Sequence, residues 1–93
     1  MNNEESLKRT LENRGKKYGN FKEMCEAQAA LKRAMRFHVT RFENLAPYQQ
    51  EALDMFAVKI GRILTGDPDY DDNWRDIAGY ALKVLDSLPQ RGD

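Results

Sequence analysis

Apolar residues recur three and four positions apart along most of this chain, the spacing of helices that each carry one apolar face. The pattern is clearest from Pro47 to Leu88. There PYQQEALDMFAVKIGRILTG is followed by an acidic turn, DPDYDD, and then by NWRDIAGYALKVLDSL. The first of these stretches predicts a helix over 47–65 with a core stripe of Leu53, Phe56, Ala57, Ile60, Ile63 and Leu64. Pro47 suits the first helical position, and Gly66 with Pro68 ends the helix. The second predicts a helix over 72–88 whose stripe is Trp74, Ile77, Ala81, Val84, Leu85 and Leu88, closed by Pro89. A turn this short predicts antiparallel packing of the two.

The first half carries two further helices. One is expected over 4–14, capped by Asn3, anchored by Leu7 and Leu11 and stopped by Gly15. The other is expected over 21–37, with Met24, Ala27, Leu31, Ala34 and Met35 on one stripe and His38 extending it as a capping or core residue. Gln28 lies inside that stripe and needs hydrogen-bond partners, which a neighbouring helix or a ligand would supply. Between the two helices RGKKYGNF reads as a basic loop with Tyr18 and Phe21 tucked in. Residues 39–46 read as a connector whose Phe42 and Leu45 plug the end of the bundle. The pattern therefore predicts an all-α, four-helix bundle-like single domain over 1–93.

At 93 residues the chain buries only about 60–65% of its unfolded surface, so a lone monomer is marginal and a homodimer is the expected assembly. Its formal net charge is zero, but the charge is not evenly spread. Residues 1–46 hold ten Lys/Arg against six Asp/Glu, and residues 47–93 hold five against nine. Cys25 is the single cysteine, which excludes an internal disulfide and a cysteine zinc site and fits a reducing cytosol. No apolar run approaches the ~18 residues of a membrane span, and no apolar signal region opens the chain, so a cytoplasmic protein is expected.

Conventional catalytic sets are missing: one His, one Cys and no adjacent Ser leave no nucleophile–base pair. What remains is carboxylates at the borders of the core stripes. Glu51 and Asp54 belong to the helix over 47–65, Asp72 and Asp76 to the helix over 72–88. Were all four to converge, they would suit an octahedral Mg²⁺. Antiparallel packing instead sets Asp72 and Asp76 near Lys59 and Arg62, and Glu51 and Asp54 nearer the far end. Convergence on metal would then need a dimer, and the alternative is a structural pair of Asp76 with Arg62 or Lys59. Lys16 and Lys17 in the glycine-flanked loop are candidate phosphate contacts, although the loop lacks the spacing of a P-loop. Asp67, Asp69, Asp71 and Asp72 miss the glycine and the final Glu of a calcium loop and read as turn formers and helix N-terminal charge. The tail QRGD reads as ordinary solvated chain.

The runs R-G-K-K-Y-G-N-F, Q-A and E-A-L-D-M-x-A-x-K-I-x-R-I-L-x-G-D-P-x-Y-x-D-x-W-x-D-I-A-G-Y-A resemble a family of small phage and prophage proteins of uncharacterised function. The resemblance covers about residues 14–81. That family is more distantly similar to the MazG-like all-α nucleotide pyrophosphohydrolases, which use Mg²⁺ held by carboxylates and are commonly dimeric. The resemblance implies that Glu51 and Asp54 match an E-x-x-D pair and that Asp76 matches the last acid of a second one. Asn73 stands where that second pair needs Glu, with Asp72 one place earlier as a substitute, and Glu23 and Glu26 stand in for the upstream E-x-x-E. Lys59, Arg62 and Tyr80 match the phage family's own pattern.

Two function classes follow. The first is a phage-type α-helical binding protein acting through protein–protein contact, an inhibitor of a host or defence protein. The second is a MazG-like nucleotide-binding protein or NTP pyrophosphohydrolase. It would set Glu51, Asp54, Asp72 and Asp76 on Mg²⁺, and Lys16, Lys17, Lys59 or Arg62 on phosphates, with Gln28, Tyr18, Trp74 and Tyr80 in support. Nucleic-acid binding through the basic first half is the least favoured reading and would show steep salt dependence.

Overall fold

Each of the expected stripes lies on a helix. The computed structural model describes residues 2–18 and 20–91, with the backbone alone at 13–18. The helices are α1 (Asn3–Tyr18), α2 (Phe21–Met35), α3 (Val39–Glu43), α4 (Pro47–Thr65) and α5 (Asp71–Ser87). The fold is all-α, with no strand among the described residues. None of these helices is long and apolar enough to cross a membrane.

Among the described residues five helices replace the expected four, and the ends of the first two move most. The helix of the first half does not stop at Gly15, and 14–18 is not a loop: α1 continues to Tyr18. One glycine costs a helix only about 1 kcal/mol relative to alanine, and Arg14, Lys16 and Lys17 around it are good helix formers. The cap of α1 is Asn2 rather than Asn3, since Asn2 Oδ1 accepts from the Glu5 N–H at 2.8 Å. The helix over 21–37 ends at Met35, and the connector contains α3. His38 therefore does not extend the α2 stripe. It stands, exposed, at the N-cap position of α3 with the Phe37 ring edge-on to its own at 5.1 Å.

Sequence chemistry accounts for the other ends. Asn20 caps α2 by accepting from the Glu23 N–H at 3.1 Å. The Gln49 Oε1 accepts from the Ala46 N–H at 3.0 Å at the start of α4, where Pro47 lacks a donor. In the turn, the Asp69 N–H donates to Asp67 Oδ1 at 2.9 Å, and Asp71 and Asp72 set negative charge in the first turn of α5.

Helix α4 is the centre of the arrangement. Helices α2 and α5 pack on either side of it and hardly touch each other, and α1 makes slight contact with α2 and α4. Both flanking helices run antiparallel to α4. Tyr48 near its start donates to the Ser87 carbonyl at the end of α5, and Lys59 meets Asp76. Across the other side Gln28 meets Val58 while Arg36 meets Asp54. Phe42 is buried at the end of the bundle, beneath the Arg36 guanidinium at 4.1 Å.

The resulting core is thin. Among the described residues its fully buried apolar members are Phe42, Ala52 and Ala57, and α2 buries none. Of the α4 stripe, Ala57 alone is buried, and Leu64 stays 67% exposed. On α5, Trp74, Leu85 and Leu88 are exposed as well.

Candidate functional site

Of the four acids singled out for a metal, Glu51 and Asp54 lie on α4 and Asp72 and Asp76 on α5, and Asp54 and Asp76 are held by cations of the same chain. Asp54 accepts from Arg36 at 2.7 Å, across the α2–α4 contact. Asp76 accepts from Lys59 at 2.6 Å, across the α4–α5 contact. The Lys59 side chain is only 10% exposed while the Asp76 side chain is 46% exposed. The pair therefore sits at the lip of the interface, with its ammonium inside and its carboxylate at the water.

Both carboxyl groups titrate below their ordinary range. For Asp54 the main cause is the hydrogen bond from Arg36, opposed by partial burial and helped by the charges of Arg36 and Lys32. For Asp76 it is the hydrogen bond from Lys59, again opposed by desolvation and helped by the charges of Lys59 and Arg62. Of the two pairs anticipated for Asp76, Lys59 makes the contact and Arg62 contributes its field.

Of the other two acids, Glu51 lies within electrostatic reach of the Arg36–Asp54 pair: the Arg36 titration is raised by its hydrogen bond to Asp54, and the charges of Asp54 and Glu51 add to that. Glu51 is exposed and lines a cleft of about 220 Å³ between α4 and α5 with Tyr48, Met55, Tyr80 and Lys83. The Lys83 ammonium stands 5.6 Å from the centre of the Tyr80 ring. Asp72 is exposed and accepts from the Tyr70 hydroxyl at 2.8 Å. Among the described residues no three His, Cys, Asp or Glu side chains come together in a way that could hold a metal ion. One chain thus brings together Lys59 with Asp76, and Glu51 with Tyr80, but does not gather Glu51, Asp54, Asp72 and Asp76.

Gln28 bonds a neighbouring helix: its Nε2 donates to the Val58 carbonyl at 3.1 Å. Trp74 Nε1 donates to the Pro68 carbonyl at 2.8 Å and so ties the start of α5 to the turn. The side chains of Lys16, Lys17 and Tyr18 lie outside the described residues.

Two residues that matter here carry no signal in the sequence motifs. Arg36, the partner of Asp54, follows Gln28 and Lys32 at four-residue steps, so it shares their flank of α2. Once Gln28 lies against Gly61 in antiparallel packing, Arg36 must lie beside Asp54. Asn73 is the largest fully buried side chain described, 1% exposed, and its Nδ2 has no hydrogen-bond partner. It occupies the place where a second E-x-x-D would have its Glu. No periodicity rule marks a buried amide in the first turn of a helix.

No curated protein and no solved structure matches the chain. A protein family does, over residues 4–84, a span that includes α2, α4, both ion pairs and nearly all of α5. The chain belongs to that family, DUF6378, a domain of unknown function.

Proposed function

We propose that this chain is a small helical binding protein that acts by contact with another protein, a host or defence protein of the cell in which it is made, and inhibits it. The observation that carries this reading is the state of the two acids that best match a pyrophosphohydrolase pattern. Asp54 and Asp76 are already neutralised by Arg36 and Lys59, and among the described residues no third acid joins either. The phage-type sequence pattern over 14–81 and the separation of basic and acidic halves support the same reading. A polarised surface favours fast, oriented encounter with a charged partner.

A second reading has its own observation. Asp54 Oδ1 is buried and has no hydrogen-bond partner, so one carboxylate oxygen is left unsatisfied. A MazG-like site would use that oxygen with Glu51, Asp72 and Asp76 on Mg²⁺, and would need further ligands brought close.

Nucleoside tri- and monophosphates, each with and without Mg²⁺, separate the two in a thermal-shift series. A ligand at ~100 times its dissociation constant stabilises by about 2.7 kcal/mol, which is at least ~10 °C for a domain of this size. The binding reading predicts no Mg²⁺-dependent shift and no pyrophosphate release. A shift with particular nucleotides, accompanied by turnover that Asp76→Ala abolishes, overturns it. Its positive test is affinity capture from host lysate in which one protein is retained by the wild type and lost with Glu51→Lys.

A further inference from the structure

The cleft between α4 and α5 that Glu51 lines brings together two opposite charges that do not meet. Its polar rim is Glu51 on α4 and Lys83 on α5, both exposed. They form no ion pair with each other, and among the described residues neither side chain joins any other ion pair or hydrogen bond. The Lys83 ammonium lies instead 5.6 Å from the centre of the Tyr80 ring. Tyr48 is fixed beside the cleft by the bond from its hydroxyl to the Ser87 carbonyl at 3.2 Å, and Met55 and Val84 supply apolar lining.

Size and charge narrow what this cleft can take. At about 220 Å³ it is smaller than the ~300–1,000 Å³ pockets that bury drug-sized ligands, and it suits one long side chain. The faces of tyrosine rings are negative and attract cations, and a carboxylate without an ion pair adds to that pull. Residues 47–93 hold nine Asp/Glu against five Lys/Arg, so the surroundings are negative as well. The chain already lays one of its own cations on Tyr80. Among cations a guanidinium is flat, stacks on aromatic faces and meets a carboxylate through two parallel N–H groups, which an ammonium does not.

We infer that the α4–α5 cleft seats an arginine side chain of a protein partner, held by the Glu51 carboxylate and the Tyr48 and Tyr80 rings, with Lys83 as the internal cation that it displaces. The inference rests on the reading of the chain as a contact protein and names the residue type that it grips. Tyrosine and arginine are both enriched at the energetic centres of protein contacts. Lys83 is exposed on a flexible stem, so it can leave Tyr80 for water. While it stays, its like charge opposes the incoming guanidinium.

The test is a titration of the full chain with N-acetyl-arginine amide, which presents the side chain as a peptide does. The Met55 methyl and the Tyr48 and Tyr80 ring signals are followed by NMR. Saturable shifts at these residues are expected, with a dissociation constant of about millimolar order for a ligand this small. The citrulline analogue, neutral and of the same shape, should bind far more weakly. Glu51→Gln should weaken arginine binding by about two- to five-fold, the worth of one exposed ion pair, and Lys83→Met should tighten it by a similar factor. Both residues are exposed, so both variants should keep the fold. An absence of saturable shifts, equal binding of the citrulline analogue, tighter binding of N-acetyl-glutamate amide, or weaker arginine binding by Lys83→Met overturns the inference. Free arginine binding more tightly than the blocked form would mark a small-molecule site and overturns it as well. Neither a partner nor a nucleotide enters this titration. A flat result therefore strikes the cleft alone, whereas Mg²⁺-dependent nucleotide turnover strikes the contact reading.

Discussion

Gln28 fills the space that a side chain at position 61 would need. A Cβ on Gly61 would lie 2.5 Å from Gln28 Cγ and 3.4 Å from the Gln28 backbone nitrogen. Gly61→Ala therefore forces the glutamine from its place and breaks its bond to the Val58 carbonyl, although alanine is the better helix former by about 1 kcal/mol. Overpacking of this kind costs about 1–3 kcal/mol, so a net loss is expected by urea denaturation. Adding Gln28→Ala to Gly61→Ala should recover most of it. If Gly61→Ala alone raises the urea midpoint, the tight contact is not present in solution.

Lys59 and Asp76 respond differently to removal. Asp76→Ala strands an ammonium that is 10% exposed, and an unpaired charge in that position is strongly disfavoured. Lys59→Met leaves behind a carboxylate that water still reaches. The expected order of melting temperatures sets Asp76→Ala below the double variant Lys59→Met/Asp76→Ala. The reverse order would show that Asp76 contributes nothing to the burial of Lys59.

The two ion pairs also fix a pH response. Asp54 and Asp76 have folded-state titrations lowered from the ordinary carboxylate value. The unfolded chain then binds more protons than the folded one in the acid range. Stability gained from these groups is present above about pH 4, and is lost as the pH falls through that value and below it. Urea midpoints should be nearly level from neutral pH down to about 5 and then decline. Asp54→Asn should remove part of that decline, and an unchanged acid limb in the variant would sink this account.

Asn73 inverts the usual rule for a buried position. Truncating a packed residue to alanine ordinarily destabilises, but here the amide carries a donor with no acceptor, a state that costs about 1–3 kcal/mol. Asn73→Ala should be neutral or stabilising by up to about 1 kcal/mol in chemical denaturation. A loss of more than about 2 kcal/mol would mean that the Asn73 amide has a partner in solution.

Most of the helical architecture is legible from residue spacing. The bounds of α4 are those that Pro47 and Gly66 predict, and α5 starts one residue before its expected first position. Single glycines are weak stop signals, which is why α1 runs past Gly15, and a five-residue helix such as α3 is too short to show a period. The apolar stripes lie on the expected helices, yet the buried positions of α4 are Ala52, Ala57, Lys59 and Gly61, of which Ala57 alone belongs to the α4 stripe. Periodicity reports which face avoids water and says nothing about what covers that face. A pairing of Asp76 with a cation of α4 is readable from antiparallel helices. Spacing alone leaves Lys59 and Arg62 as equal candidates, and the structure sets Lys59 on Asp76. The pairing of Arg36 with Asp54 is not readable in that way, because it depends on the height at which α2 lies along α4, and Gly61 with Gln28 sets that height through tertiary contact.

Trp74 is the chain's single tryptophan, and its indole N–H is held by the Pro68 carbonyl while its ring is 54% exposed. Tryptophan emission, excited selectively over the four tyrosines, is therefore a one-site signal from the α4–α5 elbow. Local opening of the elbow would alter emission before the helices melt, and a molecule laid over the exposed indole would shift it to the blue. The protein carries its own optical label at the turn that joins α4 to α5.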